Sequence, residues 1–286
     1  MIIKWPSPGK LNLFLYITGY QTNGYHYLQT LYQLINYGDS IEFLVTNNDK
    51  IRLFNAMNND IIYNDNLIIR AAKLLRAYCI KMHKKLFGVD IILHKALPIG
   101  SGMGGGSSNA ATTLIILNQK WQCYFKKNVL MNLGLMLGMD VPLFIYGYSS
   151  LGERFGEQLQ TIFIPTRWYL IIIPSIHIST AYIFNLYRLF GSYSPYRSIK
   201  TLLTTSFRND LEPIVRNIFP ELEMYFQYLS QYMLPRLTGT GSCIFSEFYS
   251  AQHAYQAQKY LPSWIQSIVV KGVRISPLYQ MLLKNH

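Results

Sequence analysis

The chain has 286 residues, half of them apolar and only 14% charged, so it can bury a large core and is neither a disordered segment nor a charged tail. Lys and Arg number 26 against 14 Asp and Glu, a net charge of +12 that attracts anions without choosing among nucleic acid, lipid headgroups and phosphorylated metabolites. At roughly 100 to 200 residues per domain, this length predicts two domains, or one large domain with an appendage.

Lys4, Pro6, Pro8 and Lys10 break the first apolar run, so no signal-peptide core is expected. Nor does any stretch approach the roughly 20 apolar residues that cross a bilayer. Strands are predicted over 11–18, 40–46 and 51–54, separated by Gly- and Asn-rich punctuation. The apolar spacing then turns helical over 66–83, behind Asn64 and Asp65 as candidate caps. A strand at 89–94 leads into Pro98, a glycine-rich turn and an apolar helix over 109–122. Another helix is predicted over 128–137, ahead of the segment GMDVPLFIYG. Past a boundary placed near 150–160 come a strand at 169–173, a helix over 180–190 and two helices flanking Pro220. Strands at 243–248 and 267–273 bracket a last helix at 251–260. Without strict strand-helix repetition, the pattern predicts a mixed α/β chain rather than a doubly wound sheet.

Cys79, Cys123 and Cys243 are odd in number, far apart and form no CxxC. They predict neither a disulfide framework nor a cysteine zinc site, and they suit a reducing cytoplasm. The six histidines show no metal spacing either. Lys and Arg are dispersed apart from short runs at 81–85 and 126–127, which argues against the basic, aromatic-interleaved face of an RNA-binding protein.

PIGSGMGGGSSNA, from Pro98 to Ala110, is the most informative segment. Gly100, Gly102, Gly104, Gly105 and Gly106 lie between a predicted strand and a predicted helix, where glycines let backbone N–H groups approach phosphate oxygens. Ser107 and Ser108 add hydroxyls at a helix N-terminus whose dipole favours an anion. No Lys-Ser or Lys-Thr follows the last glycine, so this is not a P-loop, and no acidic residue about 20 positions on completes a dinucleotide fingerprint. A nucleotide bound here needs its lysine from elsewhere in the chain.

Three segments in order, PSPGKLNLFLYITG, PIGSGMGGGSSNA and LTGTGSCIF, resemble the three motifs of the GHMP kinase superfamily. The stretches GYHYLQTLYQLINYGDSIE and GMDVPLFIYG are similar to those of its branch acting on a cytidylyl-linked alcohol, and the likeness continues to KGVRISPLYQMLL near the C-terminus. The resemblance implies a two-domain α+β GHMP kinase fold. A ribosomal S5 domain 2-like domain over 1–155 and a ferredoxin-like domain over 156–286 would flank the active site, with the C-terminal tail able to return to the first domain. It also implies phosphorylation by ATP, with Mg²⁺, of the 2-hydroxyl of a cytidylyl-methylerythritol in the non-mevalonate isoprenoid pathway. Homoserine or mevalonate is the rival alcohol within the superfamily. The implied partner is thus a small molecule, with no nucleic acid and no membrane, and no oligomeric state is read.

By the same resemblance Asp140 is the catalytic carboxylate, an acid among apolar neighbours whose other reading is a helix cap. Lys10 matches the active-site lysine, able to offset charge on the transferring phosphoryl, and Asn12 falls on the same strand face. Tyr25 and His26 match the base-binding pair, with Tyr32 and Phe184 as candidate stacking rings. Asp65, Asn66, Leu67 and Lys95 fall where the family contacts adenine and ribose, and the whole run Pro98, Ile99, Gly100, Ser101, Gly102, Met103, Gly104 to Ser108 is assigned to ATP. Gly239 and Thr240 lie in the third motif at the substrate, and Ser108 is a candidate Mg²⁺ contact. Three positions depart from the family's habit: Gly9 for Ala, Ser101 for Gly and Met103 for Leu. Ser101 would cost of order 1 kcal/mol if its backbone needed positive φ.

Overall fold

A computed structural model of the chain describes residues 3–21, 24–56, 66–81 and 88–284. Strands β1 (Trp5–Tyr20) and β2 (His26–Thr46) form a long antiparallel pair in which Lys10 faces Leu34 and Asn12 faces Tyr32. β1 is buried along nearly its whole length, which is why its apolar residues run on instead of alternating. The strand predicted at 40–46 is only the far end of β2. Gly38 and Asp39 read as punctuation in sequence, yet Gly38 lies inside the strand because β1 passes so close that a β-carbon would stand 2.2 Å from the Ser7 carbonyl oxygen.

β3 (Ile51–Asn55), α1 (Leu67–Lys81) and β4 (Gly88–His94) form a βαβ unit whose strands pair in parallel, and β4 also pairs antiparallel with the end of β2. Asn66 caps α1, its Oδ1 accepting the Ile68 N–H at 2.9 Å. The candidate caps Asn64 and Asp65 and the predicted helix residues 82 and 83 lie outside the described residues. α2 (Gly105–Lys120) begins four residues earlier than predicted, because its first turn is built from glycines and serines that read as loop. α3 (Lys127–Leu135), α4 (Val141–Tyr146) and the hairpin β5 (Ser150–Glu153) and β6 (Gln158–Thr161) follow. The hairpin joins the first sheet by β5 pairing with β2, so residue 155 falls in its turn.

β7 (Trp168–Ile172), α5 (Thr180–Phe190), α6 (Ile199–Thr204), α7 (Glu212–Ile218), α8 (Glu223–Ser230), β8 (Pro235–Leu237), β9 (Ile244–Phe248) and α9 (Ala251–Lys259) make the second half, with a 3-10 turn at Pro220–Leu222 between α7 and α8. β10 (Ser267–Val273) pairs with β7 and, at Gly272 and Val273, with β2, so one sheet runs through both halves. The final helix α10 (Pro277–Lys284) returns to the first half, where Leu278 and Leu282 join the core of α1, α2 and α4. A separate core fills the second half, and a third lies between the halves, packing Leu13 and Ile35 with Tyr169 and Phe245.

Cys79 in α1 and Cys123 just beyond α2 are joined by a disulfide, contrary to the expectation of free thiols. Forty-four residues separate them in sequence, but the two helices run side by side and end together. Cys243 is free and buried, its thiol pushed up to about 12 by burial. Among the described residues no helix is long and apolar enough to cross a membrane.

Leu278→Ala should lower unfolding free energy by about 2–5 kcal/mol, since it empties a buried site that the chain's last helix fills in the first core. Urea denaturation measures this, and a loss under about 0.5 kcal/mol, typical of surface positions, would mean that α10 is not held there.

Candidate active site

The glycine loop joins β4 to α2. Gly100, Gly102 and Gly104 all have positive φ, +67°, +75° and +73°, while Ser101 and Met103 between them do not. The departures from the family pattern therefore cost nothing in backbone strain. Ser101 instead donates its hydroxyl to the Pro98 carbonyl at 2.9 Å, and Met103 buries its side chain in the core between the halves. The first bond inside α2 runs from Ser108 N–H to Gly104 oxygen, so the N–H groups of Gly105, Gly106 and Ser107 have no acceptor within the helix. Three N–H groups at a helix N-terminus make an anion site.

A second loop, Thr238 to Ser242, closes on this one. The Cys243 N–H donates to the Ser101 carbonyl, and the Thr238 hydroxyl accepts from the Asn12 N–H at 3.1 Å. A β-carbon on Gly102 would stand 2.1 Å from the Thr238 carbonyl oxygen, so glycine is required by space as well as by φ.

Beside the loop lies an ion pair. Asp140 precedes α4 but makes no side-chain capping bond, so the cap reading of this residue fails. Its Oδ2 is 3.4 Å from Lys10 Nζ, and its Oδ1 accepts from the Tyr32 hydroxyl at 3.2 Å. Lys10 is only 3% exposed and also donates to Asn12 Oδ1, while Asn12 Nδ2 donates to Thr30 Oγ1 at 2.8 Å. Burial, and then the Asp140 charge, hold the Tyr32 hydroxyl well above the usual phenol range, which keeps it a donor. Tyr32 is fully buried and serves the carboxylate, so it offers no free face for stacking, contrary to the sequence expectation. The carboxylate itself stays partly open.

At the other end, His26 lies among rings. Phe184 is 5.2 Å away in a tilted contact, and Tyr20 and Tyr187 meet it edge-on. Burial, and secondly the Arg188 charge, lower its pKa below the usual value, and its buried Nε2 has no hydrogen-bond partner among the described residues. Such an atom costs stability unless something bonds it. Tyr25 is nearly half exposed at the rim, and Thr240 meets Thr180 of α5 hydroxyl to hydroxyl at 3.0 Å.

The glycine loop, Lys10, Asn12, Asp140, Tyr25, His26, Phe184 and Thr240 line one cleft of about 950 Å³. A family model described as GHMP kinases N terminal domain matches residues 66–148, the stretch holding the glycine loop and Asp140. The 4-diphosphocytidyl-2-C-methyl-D-erythritol kinase of Blochmanniella pennsylvanica (strain BPEN) is 59% identical over 285 residues, 99% of this chain and 96% of that one. The chain belongs to the GHMP kinase family. Among solved structures, a 4-(cytidine 5'-diphospho)-2C-methyl-D-erythritol kinase is 25% identical with a TM-score of 0.79, covering 94% of this chain and 99% of its own. A Methanococcus jannaschii mevalonate kinase, 16% identical over 96% of this chain and 98% of its own, shares the fold at a TM-score of 0.70. The mixed α and β architecture is thus the GHMP kinase fold.

Asp65 lies outside the described residues; of the other site residues singled out in sequence, all but Met103 and Ser108 line the cleft. Ser108 is fully buried with its hydroxyl 3.0 Å from that of Ser7, so it is turned away from any ion in the cleft, and Ser107 takes the exposed place. Sequence reasoning missed Asp39, whose side chain is wholly buried beside Lys95. The sequence carried little signal for it, because Gly38 and Ser40 on either side make Asp39 read as a turn residue. It also missed Thr180, Ala181 and Asn185, the cleft-facing stripe of α5.

Gly102→Ala should weaken nucleotide binding at least tenfold by forcing the two loops apart. Titration with a fluorescent ATP analogue reads this, and unchanged affinity would mean that the loop tolerates displacement.

Proposed function

We propose that this chain transfers the γ-phosphoryl group of ATP to the 2-hydroxyl of 4-diphosphocytidyl-2-C-methyl-D-erythritol, giving the 2-phosphate and ADP in the non-mevalonate isoprenoid pathway. The end-to-end likeness to a kinase of that name carries the reading. The two dissimilar ends of the cleft support it, one rich in free N–H groups and the other aromatic with an unsatisfied imidazole nitrogen.

The chemistry follows from the residues present. The N–H groups opening α2 hold phosphate oxygens, with the loop from Pro98 to Ser107 shaping the nucleotide site and Asn66 and Lys95 at its far end. The substrate hydroxyl lies at Asp140, which takes its proton as the hydroxyl oxygen bonds to the γ-phosphorus and the bond to the ADP oxygen breaks. Lys10 faces the same carboxylate and offsets charge on the transferring group. Asn12 holds the lysine in line, and the Gly239 and Thr240 backbone closes the floor. The cytosine stacks between Tyr25 and Phe184, and its polar edge satisfies His26 Nε2.

Among the described residues no three His, Cys, Asp or Glu side chains gather into a metal site. Mg²⁺ would come with ATP, held chiefly by phosphate oxygens and water, and Asp140 is the carboxylate that lines the cleft among the described residues. The reading places the work in the cytoplasm, where ATP is at hand.

ADP release with Mg²⁺-ATP, compared across the cytidylyl substrate, homoserine and mevalonate, tests the assignment. Turnover is expected with the first alone, and turnover with either other alcohol instead would overturn the substrate. Asp140→Asn and Lys10→Ala should each cut kcat about 10²- to 10⁴-fold in folded protein. His26→Ala should chiefly raise KM for the cytidylyl substrate.

The pH dependence has a definite sign. A histidine whose folded pKa lies below its usual 6.5 contributes stability that is present above 6.5 and lost as pH falls through the lowered value. KM for the cytidylyl substrate should therefore stay flat above pH 6.5 and rise as pH falls below it, whereas a KM that falls on acidification would show that the charged ring is the one that binds.

A further inference from the structure

Asp39 lies in β2 opposite Ser7 of β1, with its side chain shut off from solvent. Its carboxylate receives four hydrogen bonds. Oδ1 accepts the N–H groups of Ala96 at 2.7 Å and Leu97 at 2.8 Å, which fixes the chain where it leaves β4 for the glycine loop. Oδ2 accepts Lys95 Nζ at 2.8 Å and Asn109 Nδ2 at 2.9 Å, the latter from the second turn of α2. Asn109 passes the restraint on, since its Oδ1 accepts the Ser7 hydroxyl at 2.6 Å. One buried anion thus fastens the entry of the loop, its exit helix and β1.

The ammonium of Lys95 is the charged group through which this cluster meets the cleft, since the Asp39 side chain is shut off from solvent while that of Lys95 stays partly open. It donates to Asp39 and to the Leu97 carbonyl at 2.6 Å, two of its three donors, and Lys95 lines the cleft. It also lies 3.3 Å from where a β-carbon on Gly105 would stand, directly over the first residue of α2. A flexible four-carbon stem would not hold this place unaided, because its rotamer entropy opposes a single geometry.

We propose that Asp39 is a positioning residue for the nucleotide: its carboxylate holds the Lys95 ammonium over the first turn of α2 so that the third donor meets bound ATP. Asp39 touches no substrate and acts through Lys95. The pairing also cancels the lysine's charge, so Lys95 serves as a directed hydrogen-bond donor while the helix N-terminus supplies the pull on phosphate. This rests on the ATP reading given above.

The test is a double-mutant cycle on the full chain, read by titration with a fluorescent ATP analogue and by steady-state kinetics. Asp39→Asn keeps an oxygen for the two backbone N–H groups but turns an amide donor toward Lys95 and Asn109. It should weaken nucleotide binding and raise KM for ATP at least tenfold, with KM for the alcohol within twofold and kcat falling less than KM rises. Lys95→Met should do the same, and the double variant should be no worse than Lys95→Met alone. Losses that multiply in the double variant, or an equal rise in both KM values, would overturn the proposal. Should Asp39→Asn fail to fold, Lys95→Met still decides, because unaltered ATP affinity in that variant removes the residue through which Asp39 is said to act. Wild-type protein that binds no nucleotide would instead sink the kinase reading, an outcome distinct from wild type and variants binding alike.

Discussion

An ammonium group buried as deeply as that of Lys10 cannot stand alone, since taking an unpaired cation from water costs several kcal/mol. Its needs organise the site. Asp140 supplies the opposite charge from the start of α4, Asn12 supplies an amide oxygen from two residues along β1, and the Tyr32 ring lies under the cation at 5.7 Å. Each partner is itself fixed: Asn12 by Thr30, Asp140 by the Tyr32 hydroxyl, and β1 by the Lys10 N–H bonded to the Met103 carbonyl of the glycine loop. Removing the lysine charge would leave an unpaired carboxylate facing the cleft, so the pair also bears on whether an anion can be tolerated there.

The glycine loop shows how two electrostatic devices can share a short segment. Alternating left-handed glycines turn the chain back on itself, while the helix that follows leaves its opening N–H groups unpaired. Thr238 then covers the outer side of Gly102 with backbone, so the loop is held from behind and offers its open side to the cleft. Rigid backing of this kind is what lets backbone dipoles act without reorganising when charge develops.

Much of this was legible in the residues. Apolar spacing located α5 and β10 at their observed bounds, because both have one plain period and clear ends. The loop motif was equally plain, since glycine clusters are rare for physical reasons, whereas Asp140 stood out chiefly through the resemblance, its other reading being a helix cap. What sequence hid were facts of the third dimension. β2 was cut short because Gly38 and Asp39 look like a turn until β1 is laid against them. The Cys79–Cys123 bond depends on α1 and α2 ending side by side. Tyr32 reads like any of 23 tyrosines, and only its burial beside Asp140 shows that it serves the carboxylate.

The continuity of the sheet through β10, together with the core shared between the halves, bears on how substrates come and go. A hinge between two lobes would have to break the Gly272 and Val273 pairing with β2 and expose Leu13, Ile35, Tyr169 and Phe245 to water. Fully uncovering large side chains of this kind costs about 1.5–3 kcal/mol each, so wide opening is disfavoured. Entry and exit then fall to rim side chains such as Tyr25 and to the loops around the mouth, and the cleft greets its ligands already shaped. Affinity in such a vessel owes little to closure and much to fit, which makes its inner contour a mould against which the two substrates are sorted.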